Sequence, residues 1–180
     1  DAFWIRAVSD TELREALRAD GRGEIVEGDR YLRVSIDASR RALAIADDEV
    51  SRRALAQPLT ILGERLLGRG DVAEAAEGYA QVMRIDPGNA DAPYYLAMIA
   101  CRQGRFEEGG TWLRLHQPGW AEGNGFAGHL WWHMGLFRLE AMDSAGVLRL
   151  VDSHFNGETL RFTLQRVDAA ALLWRLHLQG

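Results

Sequence analysis

The chain has little that would hold it covalently. Cys101 is its single cysteine, so no internal disulfide forms. That fits a reducing, cytoplasmic setting. Proline is scarce, with four residues in 180. Runs of Val, Ile and Thr with the period-two pattern of strands are nearly absent, which argues against a β-rich fold. No apolar run approaches the ~18 residues that a transmembrane helix needs, so no membrane span is expected. No secretory leader is visible. Basic residues are scattered rather than massed, and 21 of them against 26 acidic ones leave a formal charge of −5. A nucleic-acid surface is therefore not expected. The sequence starts at Asp1 rather than Met, so an earlier segment, with any targeting signal, is expected to be missing.

What is present points to helices. The chain is 47% hydrophobic and 26% charged, the range of a globular protein with a real core. Abundant Ala and Leu predict an all-α fold. Ser9-Asp10-Thr11-Glu12 reads as a helix start, with Ser9 as N-cap and Glu12 in the capping-box position. Gly21-Arg22-Gly23 then breaks the chain. Residues 24–36 read either as a hairpin or as part of a helix. A helix from about Arg30 to Asp47 is preferred, because Tyr31, Val34, Ala38, Ala42 and Ile45 recur at spacings of three and four.

From Ala56 an internal repeat sets in. Ala56 to Asn89 spans 34 residues, with Leu59 at position 4 of the unit and Leu62-Gly63 at 7 and 8. Leu66 falls at 11, Gly70 at 15, Ala75 at 20, Tyr79 at 24 and Pro87 at 32. This resembles the tetratricopeptide repeat (TPR), and each position has a physical reason. Gly63 and Ala75 are small where two helices cross. Gly70 ends the first helix and Asp71 caps the second. Asp86-Pro87-Gly88-Asn89 turns the chain. A second unit from Ala90 places Leu96-Ala97 at 7 and 8, Gly104 at 15, Phe106 at 17 and Gly109 at 20, and ends early at Gln117-Pro118-Gly119. Trp120 to Gly125 reads as a connecting loop, or as a mobile lid. A third unit places Trp131 at 4 and Met134-Gly135 at 7 and 8, then decays, with Arg138 at 11 and Met142 at 15. A fourth first-helix runs from Thr159 or Val167 to Gln179, with Gly180 in the role of position 15.

The expected fold is thus a right-handed α-α superhelix, a TPR-like solenoid of antiparallel helix pairs. It comprises a helical region over 1–55 and repeats over 56–180, with units near 56–89, 90–118 and 126–156 and an incomplete one over 158–180. Repeat helices need a polar cap at each end. Ala169, Leu172, Leu173, Leu176 and Leu178 are too apolar for one, so more chain or a partner is expected to cover this end. Self-association through the C-terminal helix is one such arrangement.

In solenoids of this kind the first helices line a concave groove. Repeat numbering places Tyr94, Tyr95, Met98, Cys101 and Arg102 there from the second unit, and His129, Trp132, His133, Leu136 and Glu140 from the third. Trp174 and His177 come from the fourth, and Gln57, Thr60, Glu64 and Leu67 from the first. The stretch GHLWWHMGLF, Gly128 to Phe137, therefore splits. Trp131 packs inward, while His129 and His133 lie about a turn apart on the groove face. Two histidines do not make a zinc site, and Leu130 stands where the zinc-protease motif needs a glutamate. Asp168, His177 and Glu140 are candidate third ligands that the spacing does not select, so no metal and no cofactor is expected. No phosphate loop and no GxSxG elbow is present. Cys101 in an Ala-rich helix reads as a small core residue rather than a nucleophile. Asp47-Asp48-Glu49, Arg40-Arg41 and Arg52-Arg53 read as solvated. Five of the six tryptophans lie beyond residue 110, so that end is expected to hold an aromatic cavity.

Gln103 to Glu140, QGRFEEGGTWLRLHQPGWAEGNGFAGHLWWHMGLFRLE, and Asp168 to Gly180, DAAALLWRLHLQG, resemble the tetratricopeptide repeat protein 38 family. Members carry a QGR-xxEG-xxWL stretch, an HNWWH-xxL segment and a DA-x-x-LLWRL segment in this order. The resemblance covers about residues 70–180. It implies a TPR-type fold and a longer chain with further helices, and no general activity. The family pattern of two histidines and a glutamate before QGR, of the form HAVAHVLEM, falls on Tyr94, Met98 and Cys101. The asparagine of HNWWH falls on Leu130. Of a polar groove this chain keeps His129, His133 and Asp168.

The leading expectation is a binding module. Its groove, with Tyr94, Tyr95, Met98, Arg102, His129, Trp132, His133 and Trp174, holds a peptide segment or a small organic ligand. The alternative is an enzyme with His129 or His133 as general base, held by Asp168 or Glu140.

Overall fold

The computed structural model describes residues 1–122 and 125–179. Gly123, Asn124 and Gly180, which the sequence places in the loop and at a helix end, lie outside the described residues. Among the described residues there are ten α-helices, one short 3-10 helix and no strand. None of the helices is long and apolar enough to cross a membrane. The fold is an all-α helical repeat. It divides into two compact units, residues 1–87 and 88–180.

The first unit contains α1 (Ala2–Gly21), α2 (Ile25–Ile45), α3 (Glu49–Arg69) and α4 (Val72–Ile85), packed as α1 on α2 and α3 on α4, with α2 against α3. The expected boundary at residue 55 falls inside α3, so the N-terminal region and the first repeat form one body. The hairpin alternative at 24–36 is excluded, because α2 starts at Ile25, five residues before the expected start. Ser9 is not an N-cap. The helix begins behind Asp1, whose side chain accepts from the Phe3 amide at 2.9 Å. Ser9 lies buried in mid-helix, bonded to the Ser35 carbonyl at 3.1 Å and to the Ser39 hydroxyl at 2.6 Å. Its hydroxyl serves the α1–α2 contact rather than a helix end.

Pro58 sits inside α3 and is fully buried. It has no N–H for the carbonyl four residues earlier, which is that of Ala54. The Ser39 hydroxyl supplies the missing donor, at 2.9 Å. Asp48 is a cap rather than a merely solvated acid. It accepts from the Ser51 amide at 2.7 Å, while Asp47 takes Arg52. Gly70 ends α3 with φ 89°, and the Asp71 amide returns to the Leu66 carbonyl at 2.9 Å. Asp71 itself makes no side-chain cap bond to α4, contrary to its expected role. Gly63 is small because a Cβ there would stand 2.7 Å from the Tyr79 ring. Asp29 bridges Arg65 and Arg69, and Arg65 also takes Asp20. All 21 basic residues of the chain are arginine; it contains no lysine.

The second unit contains α5 (Asp91–Arg102), α6 (Phe106–Leu115), α7 (Gln117–Trp120), α8 (Ala127–Glu140), α9 (Ser144–His154), the 3-10 turn Thr159–Arg161 and α10 (Thr163–Leu178). Helix α8 packs on α6, α9 and α10. Its core gathers Leu113, Trp120, Leu130, Met134, Phe137, Val147 and Leu172. Trp120, expected in a loop, ends the short helix α7 and is fully buried, with its indole N–H on the Leu113 carbonyl at 2.9 Å. It pins the connection to the core instead of forming part of a lid. Asp143 caps α9 through the Gly146 amide at 2.8 Å. Before it, Met142 takes φ 57°, the left-handed conformation that glycine fills at Gly70 and Gly104. The third repeat departs from the pattern at that position.

Candidate functional site

The site lies within the second unit, where α8 presents GHLWWH between α5 and α10. Period 3.6 puts His129, Trp132 and His133 on one face. Leu130 and Met134 face the core, and Trp131 stacks on His154 at 3.6 Å with its edge to Trp120 at 4.8 Å. Trp131 is thus a packing residue, as expected.

The histidines form a bonded line. His129 Nδ1 lies 2.9 Å from Asp168 Oδ2, and His129 Nε2 lies 3.2 Å from His133 Nε2. Asp168 is 5% exposed and His133 7%. A buried carboxylate needs a donor, and the His129 Nδ1–H is that donor. Burial lowers the His133 pKa to about 3, with the neighbouring His129 adding to the effect. His133 is therefore neutral near pH 7. It donates Nε2–H to a neutral His129, or accepts there from a charged one.

Aromatic rings enclose this line. Trp132 stacks on His129 at 5.0 Å and 26°, and its ring lies 4.7 Å from His133. Tyr94 lies 5.2 Å from His133 and 5.1 Å from Tyr95. Burial pushes the Tyr94 phenol up, against the opposing pull of Arg102. Two members were missed in the sequence. Phe126, one residue before α8, lies 4.7 Å from His129 and edge-on to Tyr94 at 5.7 Å. Arg175 of α10 stands 5.9 Å from the Trp132 ring. The Trp132 Nε1–H is buried and has no acceptor among the described residues.

Other expected members are more exposed or make no contact with the histidines. Trp174 is 62% exposed, and its ring neighbour is His177 at 5.9 Å. Arg102 is exposed and Met98 half-buried. Glu140 is exposed and makes no hydrogen bond or ion pair with either histidine; it borders a small apolar cavity with Cys101 and Arg175. Of the two proposed histidine partners, Asp168 is the one in place. No group of three or more His, Cys, Asp and Glu among the described residues is arranged to hold a metal. Both His129 nitrogens are already engaged. Cys101 is half-buried, and burial raises its thiol pKa, which keeps it protonated and a poor nucleophile.

Stacked helix pairs with glycine at the crossing points define a helical-repeat scaffold, a class whose surfaces bind other proteins. Within that class, a family model described as a tetratricopeptide repeat matches residues 66–116, from the end of α3 through α6. Residues 66–116 are thus of the tetratricopeptide repeat type.

Proposed function

We propose that this chain is a binding protein whose second unit holds an extended peptide segment against Tyr94, Tyr95, His129, Trp132 and His133. The observation that carries this reading is the Trp132 indole N–H, buried without an acceptor beside half-buried ring faces. An unsatisfied buried donor costs free energy, and a peptide carbonyl would recover it. The rings would supply contact area, while Arg175 would favour an acidic or carbonyl-rich sequence. We further propose that the chain belongs with the tetratricopeptide repeat protein 38 family, which the WW- and LLWRL-containing segments support. The exposed apolar side chains of α10, Leu164, Val167, Trp174 and Leu178, support self-association as an additional property.

The test is selection of peptides from a random displayed library against the whole chain. The selected peptide is then titrated into Trp132→Ala, Trp132→Phe and Tyr94→Ala. Loss on Trp132→Ala and partial loss on Trp132→Phe support the reading. Unchanged affinity in all three variants refutes it.

The 2.9 Å His129–Asp168 contact supports a second reading, acid–base catalysis. Here Asp168 would orient His129, whose Nε2, on giving up its contact with His133, would take a proton from water as that water attacks an activated carbonyl and the leaving group departs. Hydrolysis of p-nitrophenyl esters that disappears in His129→Ala is its test. Wild-type rates equal to buffer would refute it.

A further inference from the structure

The second unit holds a cavity of about 560 Å³. It lies where the start of α8, the end of α9, the 3-10 turn and the start of α10 meet. Of the residues around the histidine line, it shares His129 and Phe126. It does not rest on the peptide reading.

Its walls have a definite character. Phe126, Trp131, Phe162 and Leu164 supply apolar faces. Among the described residues, no Asp, Glu, Lys or Arg lines it. His154, stacked on Trp131, is kept neutral by burial, which lowers its pKa. A charged ligand would therefore lose its hydration with no Asp, Glu, Lys or Arg to meet it, and the His129 imidazole is already paired with Asp168. The one unmet polar demand is Gln165. Its Oε1 is buried and accepts no hydrogen bond among the described residues. Gly128 makes room for that amide, since a Cβ there would stand 2.7 Å from Gln165 Nε2. The terminal torsion of glutamine is broad, so rotation of this lining amide can present Oε1 to the cavity. The volume falls in the range of small-molecule sites.

We propose that this cavity binds an uncharged planar aromatic molecule that donates an O–H or N–H to Gln165 Oε1, with its rings against Phe126 and Phe162.

The probes are 2-naphthol, its donor-less methyl ether 2-methoxynaphthalene, and the anion 2-naphthoate, each titrated calorimetrically into the whole chain. Expected is a single site for 2-naphthol, with the methyl ether roughly tenfold weaker because the buried acceptor stays unpaired, and naphthoate weaker than both. Gln165→Leu should bring naphthol and its ether to within about twofold of each other. Ser153→Phe, placed at an exposed position lining the cavity, should abolish binding with the far-UV spectrum unchanged. Equal affinity for naphthol and its ether in the wild type would overturn the proposal. So would naphthol binding that survives Ser153→Phe. Trp132→Ala separates this site from the peptide surface, because Trp132 does not line the cavity. Naphthol binding retained there supports the proposal, and naphthol binding lost there moves the aromatic to the peptide surface and overturns it.

Discussion

Removal of the Ser39 hydroxyl tests whether a side chain stands in for a backbone donor. Ser39 is fully buried and gives its hydrogen to Ala54 O at 2.9 Å, the carbonyl that Pro58 leaves unpaired. Having given that hydrogen, Ser39 must accept from Ser9 at 2.6 Å. Ser9 can redirect its hydrogen to Ser35 O at 3.1 Å, so the unrecovered loss in Ser39→Ala is the Ala54 carbonyl. Stranding that acceptor costs about 1–2 kcal/mol. In a Pro58→Ala background the residue-58 amide regains its own N–H and takes the carbonyl. There Ser39→Ala should cost less by about 1 kcal/mol, the coupling of the cycle. Hydrogen exchange of α3 amides reads the first unit by itself, and urea unfolding reads the whole chain. If the two substitutions add within about 0.3 kcal/mol, the hydroxyl is not replacing the missing amide and the reasoning fails.

Two further outcomes follow from the second unit. Met142 is 71% exposed at φ 57°, so Met142→Gly should remove left-handed strain with little lost packing. A gain of about 1 kcal/mol is expected in urea unfolding; an unchanged or lower midpoint would show that the backbone there is unstrained. His133 has a folded pKa of about 3 against an unfolded value near 6.5. The unfolded chain therefore binds a proton that the folded chain refuses. Stability is full above pH 6.5 and falls as pH drops towards 3, by at most about 1.4 kcal/mol per pH unit. In His133→Phe, stability followed against pH should lose one proton's worth of that slope, and an identical slope would mean that His133 is protonated in the fold.

The repeat was legible where a residue's reason is local or strictly periodic. Gly70 ends a helix by its own φ, and Gly63 and Tyr79 meet because repeat spacing sets them opposite. His129, His133 and Trp132 were legible as one face for the same reason. Ser9 was misread because the capping pattern is a local signal, while its hydroxyl is committed to residues 26 and 30 positions away. Trp120 follows Gln-Pro-Gly, which reads as a breaker. Yet a Cβ on Gly119 would stand 3.3 Å from the Gly88 carbonyl, and that close approach packs the segment. Arg175 joins the site through a tertiary contact that no spacing encodes, whereas Phe126, three residues before His129, follows from helical spacing at the start of α8. Glu140 was chosen for its charge, but it closes α8 at an exposed turn, about two helical turns beyond His133 and three beyond His129.

The ion pairs that tie the helices together have arginine on their cationic side throughout, apart from the His129 contact. A guanidinium stays charged far beyond the range in which an ammonium is neutralised. The network of Arg65 and Arg69 with Asp20 and Asp29 thus has no half that switches off in alkali. The same composition leaves these 180 residues without an ε-amino group. Lysine acetylation and ubiquitin attachment to lysine have no acceptor in this stretch, and labelling reagents aimed at ε-amines find no target in it.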